Sequence, residues 1–200
     1  MKKKSILQCL AFLVFVILAS CGGTSGNANN DEENIETEEQ PAAIKSPRKQ
    51  SEGEIGGIGV KIDYGSPFVK NRQGEIWGKM EEYGKVWRAG ANETTSIEFS
   101  GDVIVAGQEI AAGKYGFFII PREESEWVVI FNTHWSVDEH GIWGNMGYND
   151  ENDVARIHVN PVWTEELQES LQYTVSGSSI DLGWEYLRIR LPVEAKKSED

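Results

Sequence analysis

The segment Trp87-Arg88-Ala89-Gly90-Ala91-Asn92-Glu93 concentrates groups that could do chemistry. An arginine and a glutamate five residues apart across Gly90 could curl into one pocket. There Arg88 could grip a carboxylate or phosphate through two parallel N–H bonds, Asn92 could donate and accept, and Trp87 could stack on a ring. The same residues also suit a tight structural turn, with Arg88 paired to Glu93 or Asp153 and Asn92 bonded to nearby backbone. A second group lies in the stretch from Thr133 to Asp153: His134, Trp135, His140, Trp143 and Tyr148. Aromatic rings exposed on a β scaffold fit the CH faces of sugars or the hot spot of a protein partner. The competing role is a lid closing over one end of the domain, because tryptophan is usually well buried.

Other chemistries leave no trace. His134 and His140 flank Asp138 and Glu139, but no H-E-x-x-H or paired C-x-x-C spacing occurs. The run Asn149-Asp150-Glu151-Asn152-Asp153 is oxygen-rich without the D-x-D-x-D-G calcium pattern. There is no G-x-S-x-G elbow and no Cys/His pair. Gly56-Gly57-Ile58-Gly59 leads into a strand pattern, not a phosphate-cradling helix. The sequence therefore implies no metal and no cofactor. Two function classes stay open: a binding or assembly module, and a hydrolase-like, glycan-directed enzyme. In the enzyme, Glu93 would be the acid/base, Arg88 the substrate clamp and His134 a second proton carrier.

The elements that would carry these residues are strands. Ile58, Val60, Ile62 and Tyr64 alternate before Gly65-Ser66-Pro67. Thr95, Ile97 and Phe99 alternate, and Val103 to Val105 follows across Ser100-Gly101-Asp102 as if in a hairpin. Tyr115–Ile120 and Trp127–Phe131 are apolar runs joined by a short polar connection, a second hairpin. Val154, Ile157 and Val159 mark a further strand. Leu171 to Val175, Ile180 to Trp184 and Leu187 to Leu191 complete the set. Only Thr164 to Leu171 could pass for a helix. Short strands with frequent turn signals predict an all-β fold: one antiparallel β-sandwich or barrel-like domain. The long stretch from Thr133 to Asp153 shows no clear strand, and loops of that length are often functional.

The N-terminus reads as an address. Lys2, Lys3 and Lys4 precede an uncharged apolar run from Ile6 to Ile17, too short to span a bilayer comfortably. Leu18-Ala19-Ser20-Cys21 resembles the lipobox of bacterial lipoproteins. That resemblance implies cleavage before Cys21, a thioether to diacylglycerol on its sulfur, and acylation of the new amino group. Several acyl chains together anchor stably. The other cysteine, Cys9, leaves with the signal, so the mature chain has no disulfide and must be stabilised by its core. Gly22 replaces the acidic residue that can retain lipoproteins at an inner membrane. The expected location is the cell envelope, lipid-anchored, at the outer membrane of a two-membrane cell.

Composition divides what remains. Residues 1–20 read as the signal, 21–54 as a disordered acidic tether almost without large apolar residues, 55–193 as the folded domain, and 194–200 as a charged tail. All seven tryptophans fall between Trp77 and Trp184. The formal charge of -13 becomes about -16 once the three signal lysines are gone, because residues 1–20 contain no acid. Such a surface argues against nucleic acid as a partner. The partners left are the membrane, through the acyl chains, and a glycan, a small molecule or an envelope protein.

Trp87, Arg88, Gly90, Ala91, Asn92 and Glu93 also form a W-R-x-G-A-N-E motif. With Trp143-Gly144, Tyr148, and Asp153-Val154 followed by Arg156, they resemble a bacterial family of exported proteins, domain-of-unknown-function family 2911. The resemblance runs from about Val60 to Pro192. It implies a β domain in the envelope; the ligand-binding candidates, Trp87, Arg88, Asn92, Glu93, His134, Trp143 and Tyr148, rest on the chemistry of the residues themselves. The resemblance implies no reaction.

Overall fold

A computed structural model describes residues 46–197. The signal, Cys21, most of the tether and the last three residues of the tail lie outside the described residues.

The described residues form ten strands: β1 (Arg48–Ile55), β2 (Ile58–Gly65), β3 (Ser96–Phe99), β4 (Val103–Val105), β5 (Gln108–Ile110), β6 (Gly113–Ile120), β7 (Trp127–Asn132), β8 (Asp153–Val159), β9 (Val162–Ser176) and β10 (Ser179–Ala195). They form two antiparallel sheets. One has six strands in the order β1-β2-β3-β6-β7-β8, and the other has four in the order β5-β4-β10-β9. The architecture is all-β and sandwich-like, without a closed barrel.

The strand pattern follows from which faces are covered. β2 buries Val60, Ile62 and Tyr64 at alternate positions, so one face meets the core. Every residue of β7 is buried, as are the last six of β6. Both strands are central and covered on both faces, which is why their apolar runs are continuous. On the inner face, Phe117, Ile119, Trp127, Val129 and Phe131 join the main core with residues of the second sheet. On the outer face, Phe118, Ile120, Val128 and Ile130 pack under Ile142, Val86 and Tyr148. The loop after β7 therefore is a lid over the second face of this sheet, held by its own small apolar cluster.

Four tryptophans stand together at the centre. Trp77 meets Trp87, Trp127 and Trp184 at ring-centroid distances of 5.3, 4.9 and 5.5 Å, and Trp87 lies nearly parallel to Trp184 at 5.9 Å. Burying each such ring stabilises the fold by roughly 2–3 kcal/mol, with a further 0.5–1.5 kcal/mol for favourable ring geometry. This aromatic cluster is therefore a large part of what holds the two sheets together.

The structure corrects several sequence expectations. β1 starts at Arg48, inside the stretch read as tether. It pairs with β2 from Arg48↔Gly65 to Ile55↔Ile58. Its composition hid it, because this is an edge strand whose only buried residue is Ile55. The hairpin expected between β3 and β4 does not form: β3 pairs with β2 and β6, while β4 pairs with β5 and β10. The chain crosses from one sheet to the other over Ser100-Gly101-Asp102, where a side chain on Gly101 would collide with Ile58. The possible helix Thr164–Leu171 is the first half of β9, bonded to β10 and not to itself. The two last strands are one, β10, with an irregularity at Glu185, whose φ is 54°. β10 also runs to Ala195, two residues into the expected tail.

Between β2 and β3 lies a connection of about thirty residues without a regular strand. It threads Val69, Ile76, Trp77, Trp87 and Ala89 into the core. This connection, not only the lid, positions the candidate site.

Candidate functional site

The signature turn hangs on the core. Trp87 exchanges backbone hydrogen bonds with Ile119 at the end of β6, at 2.8 and 2.9 Å. Its indole N–H donates to the Gly90 carbonyl at 3.2 Å. The Ala89 carbonyl accepts from the Tyr173 hydroxyl at 2.7 Å and from Thr95 at 3.2 Å. Burial pushes the Tyr173 phenol well above its ordinary range, so it stays a neutral donor. Gly90 has no room for a side chain: a Cβ there would sit 2.5 Å from Thr95 Oγ1 and 3.1 Å from the Gly65 carbonyl. Asn92 adopts φ 65°, a conformation asparagine tolerates better than most residues.

The lid is fastened onto this turn. Thr94 donates to the Gly144 carbonyl at 2.8 Å, and Asn145 donates to the Val86 carbonyl at 2.7 Å. Gly144 has φ 64°, and a Cβ on it would lie 2.6 Å from Arg88 Nη1 and 2.9 Å from the Asn92 carbonyl. The Trp143-Gly144 element therefore has glycine where the lid backbone lies on the Arg88 guanidinium.

Two cavities flank Trp143, which is 40% exposed and lines both. The larger, about 490 Å³, is lined by Lys70, Arg72, Glu81, Arg88, Asn92 and Trp184, among others. Arg88 donates there to the Asn92 carbonyl at 3.0 Å, and its Nε is buried without a partner. Trp184, fully buried, also has an indole N–H without an acceptor. Burial pushes the Glu81 carboxyl from about 4.5 up to about 7, with the Arg88 charge pulling it part of the way back. The smaller cavity, about 320 Å³, holds Arg48, Asp63, Glu93, Lys114, Trp135 and Asp138. In it Arg48 is ion-paired to Asp63 and lies 3.6 Å from Glu93. Lys114 sits 3.7 Å over the Trp135 ring, a cation–π contact.

The domain carries residues 46–193 of a family match described as "Protein of unknown function (DUF2911)". The chain belongs to that family. No curated protein and no solved structure matches it. The DUF2911 match spans both sheets, the signature turn and the lid.

Within this DUF2911 domain the sequence candidates separate. Arg88, Asn92 and Trp143 share the larger cavity, and Glu93 lies in the neighbouring one. Arg88 pairs with neither Glu93 nor Asp153, so the internal ion-pair strut is absent. Trp87 is 2% exposed within the tryptophan cluster and has no face left for a ligand. Tyr148 packs on Phe118 at 5.1 Å, donates to Asp153 at 2.7 Å and accepts from Arg156 at 3.0 Å. Burial and the Asp153 carboxylate raise its pKa far enough to keep the phenol neutral. Asp153 in turn accepts from Asn132 and Arg156, both at 2.7 Å. The Tyr148, Asp153 and Arg156 elements thus make one structural cluster that pins the base of the lid. His134 stacks on His140 at 4.8 Å and contacts the Asn152 amide at 3.2 Å, lining neither cavity. Arg88, Glu93 and His134 therefore do not converge on one point. Among the described residues, no three His, Cys, Asp or Glu side chains group as a metal site would need.

Sequence reasoning missed Glu81, Lys70 and Trp184. Trp184 carried only a strand signal. Glu81 and Lys70 lie in the connection before the signature turn, which has neither periodicity nor a motif.

Proposed function

We propose that this protein is a lipid-anchored binding module of the cell envelope, held by acyl chains on Cys21. Its domain takes a small ligand in the cavity between the signature turn and Trp143. The observation that carries the ligand reading is the state of Arg88. A half-buried guanidinium lines a cavity of about 490 Å³ and donates a single hydrogen bond, to a neighbouring carbonyl. Arginines that serve only the fold usually spend their donors on carboxylates or several carbonyls, as Arg48 and Arg72 do here. The half-exposed Trp143 at the rim offers a ring face for the ligand body, which suits a small molecule or a glycan fragment. The envelope location rests on the lipobox-like Leu18-Ala19-Ser20-Cys21 and on Gly22 after it, which favours the outer membrane.

A library of small metabolites and glycan fragments, scored by thermal shift on the full chain in detergent, tests the reading. Hits should stabilise the wild type and lose their effect in Trp143→Ala and Arg88→Met. A library that yields only hits indifferent to both substitutions would sink it.

A further inference from the structure

We infer that the cavity beside Arg88 takes the oxyanion head of a small organic acid, a carboxylate or a phosphate ester, held between Arg88 and Lys70 with Glu81 alongside. This rests on the small-ligand reading above and adds the chemical class. The first support is charge. In a chain of formal charge -13, this cavity is lined by three cations, Lys70, Arg72 and Arg88, against one acid, Glu81. The cavity near β7 and β8 is lined by Glu123, Glu124 and Glu126 against Arg122, and the one along β1 by Glu52, Glu54 and Glu98 against Lys61. A net positive pocket in an acidic domain concentrates anions.

The second support is the set of uncommitted donors. Arg48, Lys61, Lys79, Arg156, Arg190 and Lys196 each have a carboxylate partner. Among the described residues, Arg88 and the Lys70 ammonium have none. The same is true of Lys85, Lys114, Arg122 and Arg188, but Arg88 and Lys70 share one cavity. The Glu169 carboxylate meets Lys70 only at its backbone N–H, at 3.0 Å. Arg72 is not available, because it donates to the Phe68 and Val69 carbonyls and to Met80 Sδ. Lys70 lies over the Phe68 ring at 5.7 Å, a contact that leaves its ammonium protons free. The fully buried Trp184, another residue of that lining, also has an indole N–H without an acceptor. Buried donors are nearly always satisfied, so two orphaned N–H groups in residues of one cavity wall mark that wall as short of acceptors. A small rotation of the guanidinium would bring its fork onto an oxyanion.

The third support is Glu81. Its carboxyl makes neither a hydrogen bond nor an ion pair with a described residue, although Arg88 lies close enough to lower its pKa. Held near 7 by burial, it can carry a proton and donate that proton to an oxyanion, whereas its ionised form would repel one. The other charged residues lining its cavity are Lys70, Arg72 and Arg88. Glu75 and Lys79 on its own segment are paired to each other at 2.6 Å and exposed. Met80 and Trp143 at the rim, 41% and 40% exposed, would cover the apolar body of the acid.

The test is a ¹⁵N NMR titration of the full chain in detergent, reading the Arg88 Nε–H and the Trp184 indole N–H. The probes are benzoate, phenyl phosphate, inorganic phosphate and neutral benzamide, with chloride matching the ionic strength. Benzoate or phenyl phosphate should shift both resonances saturably, with affinity falling roughly tenfold from about pH 6 to about pH 8 as Glu81 ionises. Arg88→Met should abolish the shifts. Glu81→Gln should keep binding and lose its pH dependence. Comparing the two acids separates carboxylate from phosphate, and inorganic phosphate shows whether the head suffices. Benzamide binding as tightly as benzoate would overturn the oxyanion while leaving the small-ligand reading intact. No saturable shift beyond chloride with any of the acids overturns this inference, whatever neutral compounds the library finds.

Discussion

Replacing Glu81 by glutamine isolates one electrostatic cost in the fold. The carboxyl moves from about 4.5 in the unfolded chain to about 7 in the folded one, because burial removes water from the ionised form faster than Arg88 compensates. A shift of that size corresponds to about 3 kcal/mol at 1.36 kcal/mol per unit, and partial solvent access reduces it to roughly 2 kcal/mol. The sign follows from proton counting. Between about pH 4.5 and 7 the folded state binds more protons than the unfolded state at this site, so the contribution of Glu81 to stability falls as pH rises through that window. Glutamine keeps the shape and cannot ionise. Glu81→Gln should therefore match the wild type near pH 4.5 and be more stable by roughly 2 kcal/mol near pH 8. Urea melts of the two proteins across that range measure the difference directly. A gap that does not change with pH would refute the argument, since only a titrating group makes it pH-dependent.

Four further outcomes follow from named contacts. Arg88→Met should cost only about 1 kcal/mol in a denaturant melt, because it gives up one carbonyl bond; a loss of 3–5 kcal/mol would mean a buried acid had been left unpaired. Gly144→Ala should cost roughly 1–3 kcal/mol, since it demands φ 64° of alanine and a Cβ 2.6 Å from Arg88 Nη1; an unchanged melt would show that the lid yields freely. A chain starting at Glu54 should be less stable than one starting at Ser46 by on the order of 3 kcal/mol, because it loses most of β1, its ladder with β2 and the ion pair between Arg48 and Asp63; equal thermal midpoints would contradict that. Cys21→Ala should leave the protein unlipidated, and fractionation should then find it less membrane-associated than the wild type.

Much of the β framework was legible because its causes are local. Alternation in β2 and the unbroken apolar runs of β6 and β7 report which faces are covered, and the structure covers them that way. What the sequence could not show depends on partners far along the chain. β1 reads as polar tether because seven of its eight residues are partly or fully exposed, and its pairing is set by backbone bonds to β2 that any composition can make. The β3–β4 turn has a hairpin's spacing, yet the two strands separate into different sheets, β3 between β2 and β6 and β4 between β5 and β10. Thr164–Leu171 mixes apolar and polar residues as a surface helix does, but the long β10 offers a ready ladder and the segment joins it.

The site shows the same division more sharply. The signature turn was visible as a motif, and its glycine and asparagine are explained by close packing and a left-handed backbone. The motif did not say which of its residues face the ligand. Trp87 and Arg88 are adjacent, and in the turn one enters the tryptophan core while the other lines the cavity. Glu93 follows Asn92 directly and yet lies in the next cavity, across Trp143, with Arg48 of an edge strand as its partner. Glu81, the acid that does share the cavity with Arg88, sits seven residues earlier in an irregular connection and carried no signal. Chain proximity suggested Glu93 as the acid beside Arg88, whereas the fold lines the Arg88 cavity with Glu81, unpaired. Their different surroundings follow from this: Glu93 is 58% exposed beside a cation, while Glu81 is largely buried and shifted towards neutral pH. The proton-linked anion binding proposed above therefore rests on Glu81 and not on Glu93. Glu93→Gln should leave the pH dependence of anion binding unchanged, and Glu81→Gln should remove it. The reverse result would return the role to the motif's own glutamate.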